Sequence, residues 1–240
     1  MKRIIVIVLV MLVGLMSQAQ ELKPTEGATE SYIALLKQNG YQTYSLDISP
    51  FKNTTYNVLF EIREYVSNNS DPISVRFYGH GFTNRTMVND FMWAEISDAE
   101  LAAIKAASID YENGVFSCEE NITIGFIPSA NDSTKTGYLY VGNEQCTGFN
   151  MKLKPLEHNG ALNDKVIYQY TYLPFKASEF KEGKFIPLAM CLSYWYDARF
   201  NIIRCCGESE IDPTMISDIL EDTPHYYVIG VIFTNSSLIL

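Results

Sequence analysis

His80 is the histidine whose sequence context is most typical of a functional group. It lies between Gly79 and Gly81, directly after a predicted strand of residues 73–78. Glycine-rich turns at strand ends often carry binding or catalytic side chains, and imidazole titrates near neutral pH. The alternative is an ordinary solvent-facing turn residue. The turn interpretation of His80 is favoured over the functional one, because a lone histidine cannot form a zinc site and no nucleophile neighbours it in the sequence.

Tyr168, Tyr170 and Tyr172 alternate with other residues and therefore share one face of a predicted strand. If exposed, such a stripe could stack on sugar rings or on other flat ligands. A stripe packed in the interior is the favoured alternative, since tyrosine is a strong strand former and aromatic sheet faces are common. In a second aromatic cluster, residues 194–196, Trp195 faces away from its two tyrosine neighbours, so part of that cluster belongs to the core.

Five cysteines offer a possible disulfide. They are Cys118, Cys146, Cys191, Cys205 and Cys206. A predicted hairpin of residues 188–206, with residues 197–199 as its loop, would place Cys191 directly opposite Cys205, and opposed residues are close enough for a disulfide. A register shift of one residue would pair Cys191 with Cys206 instead. Two buried free thiols are an equally supported outcome.

Motifs that carry a known catalytic mechanism are absent from the sequence, including a nucleophile elbow, a phosphate-binding glycine loop and a zinc-protease helix. Neighbouring acids such as Glu119 and Glu120 point to opposite faces of a strand and cannot flank one glycosidic bond. We therefore expect no metal and no cofactor, and we consider catalysis less favoured than binding. The function itself stays unknown. The leading hypothesis is a non-catalytic binding domain for a glycan, a peptide or an envelope protein. The alternatives are an exported hydrolase with a dispersed active site and a structural component of a surface assembly.

The charge balance disfavours nucleic acid as a partner. The chain has 18 basic and 28 acidic residues, a net charge of −10 at pH 7. Binding to a duplex requires a basic surface that releases counterions, and no lysine or arginine cluster is present.

The amino terminus has the order of segments found in a secretory signal. Two basic residues precede an apolar run over residues 4–16, and small residues stand at Ser17 and Ala19. The run is too short to span a membrane as a helix, which disfavours a membrane anchor. The small residues at Ser17 and Ala19 favour cleavage before Gln20. This leader, ending in Ser-Gln-Ala-Gln before an acidic, Tyr- and Asn-rich domain, resembles uncharacterised exported proteins of gut Bacteroidetes. The resemblance implies a periplasmic or cell-surface location. The shortness of the apolar run predicts no membrane span in the mature protein.

Hydrophobic spacing predicts a single α+β domain over residues 20–240 after a signal peptide of residues 1–19. Helices are expected mostly in the amino-terminal half: before Gly40, after Thr54, and from a capping box formed by Ser97 and Glu100. In the carboxy-terminal half, apolar runs separated by turn residues predict an antiparallel, tyrosine-rich sheet. One late helix is expected to begin at residues 212–213. The last strand, residues 226–233, is apolar throughout. It is therefore expected to be central and covered on both faces, with helices covering one side of the sheet.

Overall fold

A computed structural model describes residues 29–91, 96–128, 133–158, 166–216 and 218–235. The predicted signal peptide of residues 1–19 lies outside these ranges. The chain divides into two compact units, residues 1–36 and residues 37–240. Except for one helix, the description that follows concerns the second unit.

The described residues form thirteen strands, three short α-helices and two short 3-10 helices, Ser49–Phe51 and Val88–Phe91. The strands are β1 (Gln42–Asp47), β2 (Tyr56–Val66), β3 (Ser74–Tyr78), β4 (Arg85–Met87), β5 (Val115–Cys118), β6 (Asn121–Ile127), β7 (Thr134–Val141), β8 (Glu144–Lys152), β9 (Tyr170–Pro174), β10 (Phe185–Ser193), β11 (Trp195–Asp197), β12 (Ile202–Arg204) and β13 (His225–Asn235). The helices are α1 (Thr29–Gln38), α2 (Asp98–Ala107) and α3 (Asp218–Asp222).

Two antiparallel sheets pack face to face. The smaller sheet has the strand order β1-β6-β7-β8, and the larger has the order β3-β2-β13-β10-β9. Fully buried side chains from both sheets, among them Phe60, Leu139 and Ile229, form one core between them. Burying one such side chain contributes about 1.5–3 kcal/mol, so this interface is the main source of stability. The fold is a β-sandwich.

The predicted α+β class is therefore wrong. The clearest error is the helix predicted after Thr54, because residues 56–66 form the long strand β2. β2 pairs with β13 on one side and with β3 on the other. Its residues are buried on both faces, so apolar side chains occur at both odd and even positions. Such a pattern does not distinguish a buried strand from a helix.

Two local predictions are confirmed. Helix α2 begins at a complete capping box, in which the Ser97 side chain accepts a hydrogen bond from the Glu100 amide and the Glu100 carboxylate accepts one from the Ser97 amide. The last strand, β13, lies at the centre of the larger sheet and is buried on both faces. Its second face is covered by Cys206 and Ile211 of irregular chain and by Leu220 of the short helix α3, whereas helices alone were expected there.

Of the predicted late helix, the structure shows only the five residues of α3. At its expected start, the Asp212 carboxylate accepts hydrogen bonds from the amide and the hydroxyl of Thr214, which forms a turn. Met215 then has a positive φ of 57°, a conformation that ends a right-handed helix. Leu220 in α3 is buried, whereas Ile216, before α3, is 84% exposed.

The predicted Cys191–Cys205 disulfide is absent, and so is the alternative with Cys206, because all five cysteines are free thiols. The hairpin register is wrong. Cys191 in β10 lies between Tyr227 of β13 and Tyr172 of β9, whereas the hairpin consists only of β11 and β12. Its loop is one residue longer than predicted, and Asn201 in that loop has a positive φ of 54°. Cys205 therefore follows the hairpin and is exposed.

A candidate binding cleft at the end of the larger sheet

A cleft of about 430 Å³ opens where four strands of the larger sheet end. β2 and β10 finish there, and β9 and β13 begin there. Sites of this size are typical of small-molecule binding. The lining residues are Val66, Ser67, Lys154, Pro155, Leu156, Glu157, Gln169, Tyr170, Ser193, Tyr194, Trp195, Tyr196, Asp222, Pro224 and His225.

Backbone hydrogen bonds hold the floor of the cleft together. The Ser67 amide donates to the Pro224 carbonyl over 3.0 Å, and the Tyr194 amide donates to the Gln169 carbonyl over 2.9 Å. The His225 amide donates to the Ser193 hydroxyl over 3.1 Å. These bonds connect chain segments that are distant in sequence. Side chains placed on such a floor are well positioned for binding.

One wall of the cleft is aromatic. Tyr194, Trp195 and Tyr196 follow the end of β10, and all three are half-buried. The Tyr196 hydroxyl donates to the Asn201 side chain across the hairpin over 2.6 Å. Next to this wall, the buried Asp197 carboxylate accepts two hydrogen bonds from the Arg199 guanidinium, which lower the pKa of Asp197. The hairpin that carries the wall is therefore fixed at its turn.

A chain of hydrogen bonds runs beneath the cleft from Lys154 to Glu64. The Lys154 amide donates to the Tyr170 hydroxyl over 3.0 Å, and that hydroxyl lies 2.5 Å from Nδ1 of His225. Nε2 of His225 lies 3.0 Å from the Glu64 carboxylate. Since the carboxylate can only accept, His225 carries its proton on Nε2 and accepts at Nδ1 from Tyr170. We call this set Tyr170–His225–Glu64 the buried relay.

The electrostatics of the buried relay disfavour ionisation of His225 and Tyr170. Burial lowers the pKa of His225 despite its bond to Glu64, and burial raises the pKa of Tyr170. Both groups are therefore held neutral. Within the relay, His225 accepts from the Tyr170 hydroxyl at Nδ1 and donates to the Glu64 carboxylate from Nε2. Ser193 Oγ accepts a hydrogen bond from the His225 amide, and no hydrogen bond joins it to the imidazole among the described residues, so this serine is not paired with the histidine as a base.

The predicted tyrosine stripe does not form an exposed surface. Tyr170 belongs to the buried relay, and Tyr172 stacks on Phe126 of the facing sheet with ring centroids 4.1 Å apart. Tyr168 precedes β9 and is half-buried. The interior arrangement is therefore the one observed for Tyr170 and Tyr172. Of the stripe, only Tyr170 lines the cleft.

His80 lies in an exposed turn after β3, between glycines with φ values of 91° and 92°. It does not line the cleft, and the structure does not bring it together with Tyr168, Tyr170 or Tyr172. Among the described residues, no group of three or more His, Cys, Asp or Glu side chains could hold a metal ion. No helix in the described ranges combines the length and the apolarity required to cross a bilayer.

Sequence reasoning missed His225 and Glu64 as site residues. Their partners lie 55 and 161 residues apart along the chain, and neither residue belongs to a local motif. One signal was present. His225 is a polar residue at the entrance of an otherwise apolar strand, and a buried polar side chain requires a partner.

Fold and cleft together define a β-sandwich protein with an aromatic-walled cleft at one end of its larger sheet. The chain belongs to the family described as Domain of unknown function (DUF5041), whose model matches residues 12–235. Comparison with curated proteins and with solved structures gives no match. The prediction of an uncharacterised domain is confirmed, and the family description names no activity.

Proposed function

We propose that this protein is a non-catalytic carbohydrate-binding domain whose ligand occupies the cleft. The observation that carries the proposal is the wall of Tyr194, Trp195 and Tyr196 beside polar side chains on a fixed floor. Aromatic faces stack on the apolar faces of sugar rings, while the ring hydroxyls require hydrogen-bonding groups at the edge. The exposed side chains of Gln169, Glu157 and Lys154 supply those donors and acceptors.

The charge of the cleft favours neutral sugars over acidic ones. Glu157 and Asp222 contribute two negative charges to the lining and Lys154 contributes one positive charge. The chain as a whole is acidic, with a net charge of −10. An anionic polysaccharide would be repelled at long range. Neutral hexose oligomers are therefore the class we expect to bind.

The test is the affinity for a panel of neutral oligosaccharides, measured by isothermal titration calorimetry on the wild type and on Trp195→Ala. Loss of one stacking aromatic is expected to weaken binding by about tenfold, since aromatic contacts at hot spots contribute 1 kcal/mol or more. Trp195→Phe should retain part of the affinity. The matched control is Phe77→Ala, which removes an aromatic side chain that is 51% exposed on β3 and does not line the cleft.

Two outcomes contradict the proposal. One is an affinity in Trp195→Ala equal to that of the wild type. The other is an equal loss in the Phe77 variant. Turnover of an oligosaccharide by the wild type would instead support the hydrolase hypothesis.

The location of the protein is part of the same proposal. Residues 1–19 are consistent with a secretory signal, and a glycan-binding role suits the periplasm or the cell surface. Amino-terminal sequencing of protein purified from its natural host should give a chain that starts at Gln20. A chain that retains Met1 in the membrane fraction would contradict export.

A further inference from the structure

The strand β3, at one edge of the larger sheet, exposes a row of apolar side chains. Ile73, Val75 and Phe77 are 48%, 40% and 51% exposed, and they alternate along the chain, so they share the outer face of the sheet. The residues between them face the smaller sheet, where Arg76 Nη1 donates to the Asn150 carbonyl over 2.8 Å. We call Ile73, Val75 and Phe77 the edge row.

The other three edge strands of the two sheets differ from β3. The strand β9 has no exposed residue, and just beyond its end Phe175 pairs with Ile211. The exposed residues of β1 and β8 are polar residues and one glycine: Thr43, Ser45, Asp47, Glu144, Gln145, Gly148, Asn150 and Lys152. Among these edge strands, only β3 presents large apolar side chains to solvent.

Little protects the edge of β3 from pairing with another strand. Natural proteins block sheet edges with proline, with bulges or with exposed charges. The strand β3 contains no proline, and its pairing with β2 runs over five residue pairs without a register shift. Its one charged side chain, Arg76, is bonded to β8. Among the described residues, no strand pairs with the outer edge of β3, so this edge is open to strand addition.

We propose that β3 pairs with the β3 of a second copy of this chain, in an antiparallel two-fold dimer centred on Val75. This register places Val75 opposite its own copy and Ile73 opposite Phe77 in both halves, so that the two edge rows meet over their full length. Arg76 lies opposite Ser74, and no like charges face each other. A two-fold interface requires a surface that is complementary to itself, and the edge row meets this requirement.

Charge and hydrophobicity favour this register over its neighbours. Registers that keep the apolar side chains on one face differ by two residues in their pairing, so the neighbouring ones are centred on Ser74 and on Arg76. The first would place Phe77 opposite the exposed Asp71. The second would place Arg76 opposite its own copy, and like charges directly opposite each other are destabilising.

Sedimentation velocity of the purified protein over about a hundredfold range of concentration measures this dimer. The interface of one short strand per copy is small, so we expect a wild type that dimerises at high concentration and dissociates on dilution. Val75→Lys and Val75→Glu should each stay monomeric, because each brings two like charges together at the two-fold axis. An equimolar mixture of the two variants should dimerise again, because opposite charges then face each other. The matched control is Thr43→Lys, the same kind of change on the exposed face of β1, which should dimerise as the wild type does.

Three results would overturn the proposal: a wild type that is monomeric at every concentration, Val75→Lys dimerising as strongly as the wild type, or a mixture of the two folded charge variants that stays monomeric. If either charge variant loses the wild-type circular dichroism spectrum, Phe77→Ala decides instead. It shortens the edge row and should weaken the dimer, and unchanged dimerisation would equally overturn the proposal. The edge row does not line the cleft, so the carbohydrate affinity of Phe77→Ala should stay at the wild-type value, which separates this test from that of the proposed function.

Discussion

Replacing Tyr170 by Phe tests the buried relay directly, because the change removes one oxygen and retains the ring. The lost hydroxyl accepts from the Lys154 amide and donates to His225 Nδ1. Each net hydrogen bond contributes about 0.5–1.5 kcal/mol, and a buried nitrogen left without a partner adds about 1–3 kcal/mol. We expect the free energy of unfolding to fall by about 2–4 kcal/mol.

Tyr172→Phe is a closely matched control. Tyr172 lies on the same face of the same strand, but its buried hydroxyl has no hydrogen-bond partner among the described residues. Removing an unsatisfied buried hydroxyl relieves a desolvation penalty. The Tyr172 variant is therefore expected to be as stable as the wild type or more stable.

Urea denaturation followed by tryptophan fluorescence and circular dichroism measures both variants. With a denaturant slope of about 2 kcal/mol per molar urea, the midpoint for Tyr170→Phe should fall by about 1–2 M, while that for Tyr172→Phe should stay or rise. Equal destabilisation of the two variants would refute the reasoning. In that case the rings, and not the hydroxyl of Tyr170, would determine stability.

Three further predictions rest on single contacts. Because burial lowers the pKa of His225, the unfolded chain binds a proton as the pH falls through about 6.5 before the folded chain does. The free energy of unfolding should therefore decrease as the pH is lowered from about 7.5 to about 5.5. The variant His225→Gln should be less stable at every pH, but its urea midpoint should depend less on pH than that of the wild type. Asn84→Ala should lower the free energy of unfolding by about 2–4 kcal/mol, since this buried amide accepts from the Tyr56 amide and donates to the carbonyls of Thr54 and Phe51; a change below about 0.5 kcal/mol would contradict it. Gly230→Ala would press a methyl group against the Ile186 carbonyl and to within 2.6 Å of the Phe185 ring, and should lower the thermal midpoint by several degrees. Gly125→Ala, whose nearest contact is 3.7 Å away, should not.

The parts of the fold that the sequence predicted correctly have local causes. The capping box at Ser97 and Glu100 is two reciprocal hydrogen bonds within four residues, so neighbouring residue types suffice to specify it. The central position of β13 follows from its run of apolar residues, which can be buried only by cover on both faces.

The errors arose where long-range pairing decides the structure. The helix predicted over β2 is wrong because the pairing of β2 with β13 and β3 cannot be read from its own residues. The site was missed for the same reason. Glu64, Tyr170 and His225 come from three different strands, and no spacing rule connects them. The sequence shows the aromatic cluster at residues 194–196, but the position of this cluster beside the cleft depends on where β10 ends.

One residue that departs from the predicted hairpin also shapes the candidate cleft. Asn201, with its left-handed backbone, lengthens the hairpin and accepts the Tyr196 hydrogen bond that orients the aromatic wall. Pro187 interrupts the ladder of β10 in the same way, and the pairing of β10 with β13 shifts at Leu188. A regular sandwich would require neither feature, because a positive φ at Asn201 strains the backbone and a bulge in β10 interrupts the ladder of hydrogen bonds. Departures from regular structure next to a cleft are expected where binding, and not stability alone, determines the residue. The departure at Asn201 therefore favours ligand binding at the cleft beside it.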